Sequence, residues 1–196
     1  MLKDKKVNKR LESTKKYIDA LSAKYSKLNV IRIDLGYRKL HNNKISQNDA
    51  SADFSRMLNN RRGKQTVFGE QVGYICKKEH TEDKGSHFHV IFFFNGNKVL
   101  KDAYKAKQIG EYWEHLTDKK GSYHNCHLNK YKDNGIGVIE HSNIEKRKNL
   151  DKAVSYLCKE DGQEIEKSNK KDRAFIRGTI PKEKNKLGRK RKDKQQ

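Results

Sequence analysis

Residues 72–96 of the chain read VGYICKKEHTEDKGSHFHVIFFFNG, the most strongly strand-forming segment of the sequence. It holds two runs of strand-forming residues, 72–81 and 86–96, and the Glu-Asp-Lys-Gly sequence between them suits a turn. The stretch therefore predicts an antiparallel β-hairpin. Beyond His89 the second run is apolar on both faces, which predicts a central strand that is covered on both sides and exposed only at its start.

Two histidines stand at the start of the second predicted strand. Side chains alternate between the faces of a strand, so His87 and His89 share one face. If the turn is centred near Asp83, residue 79 pairs with residue 87 and residue 77 with residue 89, which places Glu79 beside His87. Two imidazoles and a carboxylate can hold a divalent cation and leave positions open for water and a phosphate oxygen. Partly exposed polar residues at a strand end are the alternative interpretation.

The donor set does not by itself fix the metal. Mg²⁺ prefers oxygen ligands, Mn²⁺ tolerates imidazole, and zinc usually takes more nitrogen or sulfur. We expect Mg²⁺ or Mn²⁺ at this site.

Patterns outside the hairpin predict an α+β fold. The expected order after a first surface helix is β-α-β-β-α-β-α, with an antiparallel central sheet of four to five strands. Helices would pack on one side of this sheet, as in ferredoxin-like and RNA-recognition folds. Apolar spacing predicts strands at 30–35 and 135–141, core helices at 46–60, 102–116 and 145–160, and a loop at 117–134. We expect three regions: an N-terminal helical extension (1–28), one domain (29–180) and a basic disordered tail (181–196).

The charge balance favours a polyanionic partner. Lys and Arg number 46 against 25 Asp and Glu, which gives a formal net charge of +21. Nucleic acid is the commonest such partner, although a merely soluble basic protein would show the same balance. No apolar run approaches the roughly 20 residues that span a bilayer, and the charged N-terminus has no apolar signal core, so we expect a cytoplasmic protein and no membrane partner.

The three cysteines predict neither a disulfide framework nor a zinc ribbon, because their number is odd and no CxxC pair occurs. His124, Cys126 and His127 lie close together, but a tetrahedral zinc site needs a fourth ligand and no partner pair is visible. We interpret this segment as part of the predicted loop.

A tyrosine on the last predicted helix is the candidate nucleophile. The sequence SYLCKED places Tyr156 four residues after Lys152, three before Lys159 and four before Glu160, on one predicted helical stripe. A free phenol with a pKa of about 10 is a weak nucleophile, and nearby ammonium groups stabilise the phenolate and pair with a phosphodiester. A half-buried packing residue is the alternative interpretation of this tyrosine.

Four arginines are weaker DNA-binding candidates. Two follow the predicted helix at 46–60, and two flank Phe175 in DRAFIRG, where they could equally dock the C-terminus on the sheet. They are Arg61, Arg62, Arg173 and Arg177, and Lys152 beside Tyr156 is a fifth candidate of the same kind.

The order of these features resembles the HUH endonuclease superfamily of rolling-circle replication initiators. More closely, the chain resembles the inovirus-type replication-protein family, also described as the YagK/YfjJ C-terminal domain. The resemblance covers residues 30–178 and is carried by VIRIDLGYRK, FGEQVGYICKKEHTEDKGSHFHVIFFFNG, AKQIGEYW, the segments from YHNCHLNK to GIGVIEH, EKRKNLDKAVSYLCKED and DRAFIRG.

The resemblance implies a role for each candidate. His87 and His89 would be the metal ligands and Glu79 the third, while Tyr156 would attack a DNA phosphodiester and leave a 5′-phosphotyrosine and a free 3′-hydroxyl. Lys159 matches the motif lysine, which is expected to position the phosphate or support the metal site.

The resemblance also implies a single-tyrosine enzyme, since Lys152 and Glu160 occupy the offsets where some members carry a second tyrosine. Single-stranded or origin DNA would be the substrate, and a host helicase would unwind it. A non-catalytic RNA-recognition-like module is the alternative from another class, but its exposed strand face would need aromatics where His87 and His89 stand. An HUH transposase or relaxase would keep the chemistry in another context.

Overall fold

A computed structural model describes residues 2–160, 162–163, 165 and 173–182 of the chain. The predicted tail therefore lies outside the described residues from residue 183 onward. The helices are α1 (Leu2–Lys24), α2 (Gln47–Asn59), α3 (Gln65–Phe68), α4 (Asp102–Leu116) and α5 (Ile144–Cys158). The strands are β1 (Lys27–Tyr37), β2 (Gln71–Thr81), β3 (Gly85–Asn95), β4 (Gly121–Asn125), β5 (Gly137–Glu140) and β6 (Phe175–Arg177).

The strands form one six-stranded antiparallel sheet. Its order is β4-β1-β3-β2-β6, and β5 pairs with the other end of β1. The central hairpin of β2 and β3 has the predicted register, with Glu79 opposite His87 and Lys77 opposite His89. The α+β class and the antiparallel sheet are confirmed.

Helices cover both faces of the sheet, so the expectation of helices on one side is wrong. One core lies between the sheet and α2, α3 and α4, where the Phe54 ring stacks on Phe88 at 4.9 Å between centroids. A second core joins Ile91 and Phe93 of β3 to α1 and α5. The cause is the apolar character of β3 on both faces, which requires a helical layer on each side.

Helix α1 belongs to the second core and is not merely a surface helix. Tyr17, Ile18 and Leu21 are buried there. The Tyr74 backbone N–H donates to the Tyr17 hydroxyl (3.1 Å), which ties α1 to β2. The sequence did not indicate this role because the apolar residues of α1 are few and are separated by lysines.

Strands β4 and β6 do not appear in the predicted order. The loop prediction is wrong at β4, whose polar residues GSYHN pair with the end of β1. Strand β6 has three residues and pairs with β2. Each is too short for a period of two to be visible, and each is held by pairing to a longer strand.

The ends of three strands meet at one edge of this fold. There β1 and β2 end and β3 begins, on the face that α5 also covers. This edge carries the candidate functional residues. No helix in the described part of the chain has an apolar stretch long enough to cross a membrane.

Candidate metal centre and cleft

Glu79, His87 and His89 converge on one point. Glu79 Oε2 lies 3.1 Å from His87 Nε2 and 3.0 Å from His89 Nε2, and one ligand atom from each residue lies within 4.8 Å of the other two. Two ligands bound at right angles to one ion at about 2.1 Å stand about 3 Å apart, which matches these separations. The described residues therefore contain a Glu/His/His group that could hold a metal ion.

Hydrogen bonds on the far side of each ligand orient the group. His87 Nδ1–H donates to the Gly85 carbonyl (3.0 Å), and His89 Nδ1–H donates to Asp34 Oδ1 (2.7 Å). In the neutral form, both rings then present the Nε2 lone pair to the shared point. Such partners fix the tautomer of metal-binding histidines. The donor set thus fits a divalent cation that accepts imidazole together with carboxylate.

Sequence reasoning missed Asp34, which stands on β1. Its position opposite His89 follows from the β1–β3 register, where the two residues pair directly. The available signal was a charged residue within an otherwise apolar strand.

A buried lysine fixes the other oxygen of the glutamate. Lys77 Nζ lies 2.6 Å from Glu79 Oε1, and their relative exposures are 1% and 4%. The Asp34 carboxylate also lies at this site, where it accepts from His89. Buried charges are retained when they are paired in this way.

The pKa values of Glu79 and His89 are shifted by the hydrogen bonds between them and their neighbours. Burial alone would raise the pKa of Glu79, but hydrogen bonds from His87, His89 and Lys77 outweigh it and hold that pKa well below its usual range. Burial would lower the pKa of His89, but the bonds to Asp34 and Glu79 raise it to about 9. The site attracts positive charge.

Tyr156 lines the same cleft as the metal group. This cleft has a volume of about 670 Å³ and is bounded by the ends of β1, β2 and β3, by β4 and by α5. The Tyr156 side chain is 64% exposed, so it is not the half-buried packing residue of the alternative interpretation. The structure thus brings together a candidate nucleophile and a candidate metal group that the sequence places 67 or more residues apart.

The predicted stripe on the last helix is wrong at its C-terminal end. Helix α5 ends at Cys158, and Lys159 follows in an extended conformation. Its ammonium still lies 5.9 Å from the centre of the Tyr156 ring. Glu160 pairs with Arg10 of α1 (3.2 Å), while Lys152 pairs with Asp133 (3.1 Å).

Arg61 and Arg62 lie away from the cleft. They close the helical segment after α2, and Arg61 donates to the Leu58 carbonyl (2.6 Å) and stacks over Tyr74 at 5.0 Å. Tyr74 is in the first half of β2 and Glu79 is near its end. The two arginines are therefore near the opposite end of the strand.

Arg177 docks β6 on α1. Its guanidinium donates to Ser13 Oγ (2.7 Å) and lies 5.2 Å from the centre of the Tyr17 ring. Arg173 is exposed and does not line the cleft. The contacts of Arg177 favour the interpretation in which this arginine docks the C-terminal segment on the fold and does not bind DNA.

The segment at residues 124–127 does not gather into a zinc site among the described residues. His127 Nε2 accepts the Arg32 backbone N–H (3.2 Å), Cys126 is buried, and His124 is exposed and lines the cleft. Sequence reasoning also missed further cations in the lining of the cleft, namely Arg32, Lys39 and Lys84.

A family model described as the YagK/YfjJ C-terminal domain matches residues 1–175. The chain belongs to this family. Searches of curated proteins and of solved structures find no match. The YagK/YfjJ C-terminal domain match begins before α1 and includes every residue of the cleft, so α1 belongs to the family domain. The family is an HUH-like nuclease-associated domain.

Proposed function

We propose that this YagK/YfjJ C-terminal domain is a metal-dependent HUH endonuclease with one catalytic tyrosine, which nicks single-stranded origin DNA to start rolling-circle replication of the inovirus type. The observation that carries the proposal is the single cleft lined by Glu79, His87, His89 and Tyr156. A carboxylate, two imidazoles and an exposed phenol are the groups that metal-assisted transesterification at phosphorus requires.

The chemistry would be one transesterification. The Tyr156 phenol oxygen attacks the scissile phosphorus, its proton passes to solvent, and the bond from phosphorus to the 3′-oxygen breaks. That oxygen takes up a proton, which leaves a 5′-phosphotyrosine and a free 3′-hydroxyl. A divalent cation held by His87, His89 and Glu79 supplies Lewis acidity at the phosphate when bound. The Lys159 ammonium, 5.9 Å from the centre of the Tyr156 ring, would pair with the phosphate that the phenol attacks.

The alternative of an RNA-recognition-like module is less well supported. That module stacks bases on aromatics of an open sheet face. Among the described residues both faces of the central sheet are covered by helices, and the aromatics of β3 are buried. The accessible part of β3 is its start, where His87 and His89 lie.

An HUH transposase or relaxase would use the same cleft. The proposal places the enzyme in the cytoplasm of a bacterial host, where a host helicase would unwind the duplex. Replication ranks first because the resemblance to the inovirus-type family extends over most of the chain.

Covalent capture tests the proposal. The purified protein is incubated with fluorescent single-stranded oligonucleotides whose central positions are randomised, with Mn²⁺, Mg²⁺ or a chelator, and resolved on a denaturing gel. We expect a metal-dependent adduct with the wild type and none with Tyr156→Phe. Tyr104→Phe is the matched control, because Tyr104 is 57% exposed on α4. An adduct formed equally by Tyr156→Phe, or none from the wild type, would refute the proposal.

A further inference from the structure

Arg32 lies on β1 with its side chain in the cleft. It is two residues before Asp34 and pairs with Ile91 of β3, so it stands beside the strand that carries the histidines. The alternation of β1 puts Arg32 on the same face as Val30, which is buried in the second core. Arg32 therefore lies at the boundary between that core and the cleft.

The guanidinium of Arg32 has no acceptor among the described residues. Its Nε is buried and has no hydrogen-bond partner, and no carboxylate lies within ion-pair distance. Four arginines of the described chain, Arg10, Arg38, Arg56 and Arg147, pair with a carboxylate, and Arg32 does not. A buried charged donor without an acceptor is costly, so such a position is retained where an external acceptor fills it.

Asp34, two residues further along β1, attracts this arginine but forms no ion pair with it. The Asp34 carboxylate accepts from His89, and the positive charge of Arg32 contributes to keeping the pKa of Asp34 low, after the larger effect of His89. No salt bridge joins Arg32 to Asp34. The charge of Arg32 thus remains directed into the cleft.

We propose that Arg32 binds the non-bridging oxygens of one phosphodiester of single-stranded DNA in this cleft. The inference rests on the proposed function, because it names the residue that holds the same substrate. Arginine presents a planar fork of donors that matches a phosphate, and its charge is permanent. The other cleft cations, Lys39 and Lys84, are exposed and lie outside the strands.

The test is DNA binding without cleavage. In a Tyr156→Phe background, affinity for oligo(dT) is measured by fluorescence anisotropy at several salt concentrations. Arg32→Gln should weaken binding roughly 10- to 100-fold, as expected for one charge-assisted phosphate contact. The slope of log affinity against log salt should fall by about 0.7, the value for one contact to a single strand. Arg32→Lys should keep the slope and lose part of the affinity, because it keeps the charge without the fork.

The control is the same substitution at an exposed arginine of α2 away from the cleft, Arg56→Gln. It should leave more of the affinity intact than Arg32→Gln does. Thermal melting checks folding. If the glutamine variant unfolds, Arg32→Met, which keeps the packing of the aliphatic stem without the charge, is measured in its place and should show the same fall in slope. A purely structural arginine would lower the melting temperature and leave the salt slope unchanged, and that result would overturn the inference.

Failure of the Arg32 inference and failure of the proposed function would give different experimental results. Normal adduct formation by the wild type together with unchanged DNA binding by Arg32→Gln removes only the Arg32 assignment. If the wild type forms no adduct but Arg32→Gln shows the expected fall in slope, the cleft binds phosphate and the proposed nuclease activity is refuted.

Discussion

Glu79 lies at the centre of the site because its two carboxylate oxygens contact different partners. Oε1 receives the buried ammonium of Lys77 (2.6 Å), and Oε2 faces the two histidines. The hydrogen bonds that Glu79, His87 and His89 make on the side away from their shared point therefore determine how well the three side chains are oriented before any ion binds.

Asp34→Asn should weaken binding of Mn²⁺ by about 10- to 100-fold, the usual cost of losing such a partner. The amide cannot carry the negative charge that holds the His89 ring with Nε2 toward Glu79. Isothermal titration with Mn²⁺ measures the effect. Asp133→Asn, at an exposed aspartate that pairs with Lys152, is the matched control. Equal affinity in the two variants would contradict the role of Asp34.

Lys77→Met should destabilise the metal-free protein by about 3 kcal/mol, because it leaves the buried Glu79 carboxylate without its ammonium partner. Saturating Mn²⁺ should recover more stability in this variant than in the wild type, since the ion replaces the missing positive charge. Urea unfolding with and without Mn²⁺ measures both quantities. A variant as stable as the wild type without metal would refute this account of Lys77.

Among the elements, β6 and the residue that follows it pack closely on Tyr17 of α1. A Cβ added at Gly178 would lie 2.4 Å from the Tyr17 hydroxyl and 3.2 Å from Cζ of the same ring. Gly178 N–H donates to the Tyr74 carbonyl (3.0 Å), so the backbone there has little room to move away. The packing of α1 against β6 depends on this close approach.

Gly178→Ala should therefore destabilise the fold by about 1–3 kcal/mol, the usual range for overpacking. Combined with Tyr17→Phe, the same change should cost less, because the clashing hydroxyl is gone. A double-mutant cycle from urea unfolding measures the coupling between the two sites. Additive effects would show that the tyrosine hydroxyl is not the obstacle.

The parts of the fold that sequence could predict are those set by local rules. Strand alternation and the turn at residues 82–85 were sufficient to pair Glu79 with His87. The role of Asp34 could not be predicted, because its contact with His89 depends on the pairing of β1 with β3, whose paired residues are 53 or more positions apart. The end of α5 was also missed, since nothing in YLCKE marks Cys158 as the last helical residue.

In the whole molecule, the candidate ligands lie on central strands and the candidate nucleophile lies on a covering helix. Strands β2 and β3 lie inside the sheet, and α5 packs on the face toward which His87 and His89 point. The net charge of +21 is distributed over the chain and not concentrated in the ligands. DNA affinity and metal chemistry should therefore be separable.

The double variant His87→Ala, His89→Ala should lose adduct formation and keep salt-dependent binding to single-stranded DNA. Neither histidine supplies the phosphate contacts that dominate such binding. Anisotropy and the covalent-capture gel measure the two activities side by side. The control is His115→Ala, His141→Ala, at two exposed histidines outside the cleft. Adduct formation by the His87, His89 variant would exclude these residues as the metal ligands.

The most direct test of the central claim is to identify the residue that becomes linked to DNA. The adduct is digested with nuclease and trypsin, and the peptides are sequenced by mass spectrometry. The account predicts a nucleotide attached through its 5′-phosphate to the tyrosine of AVSYLCK, residues 153–159, at Tyr156. A nucleotide on any other residue, or attached through its 3′-phosphate, would contradict it.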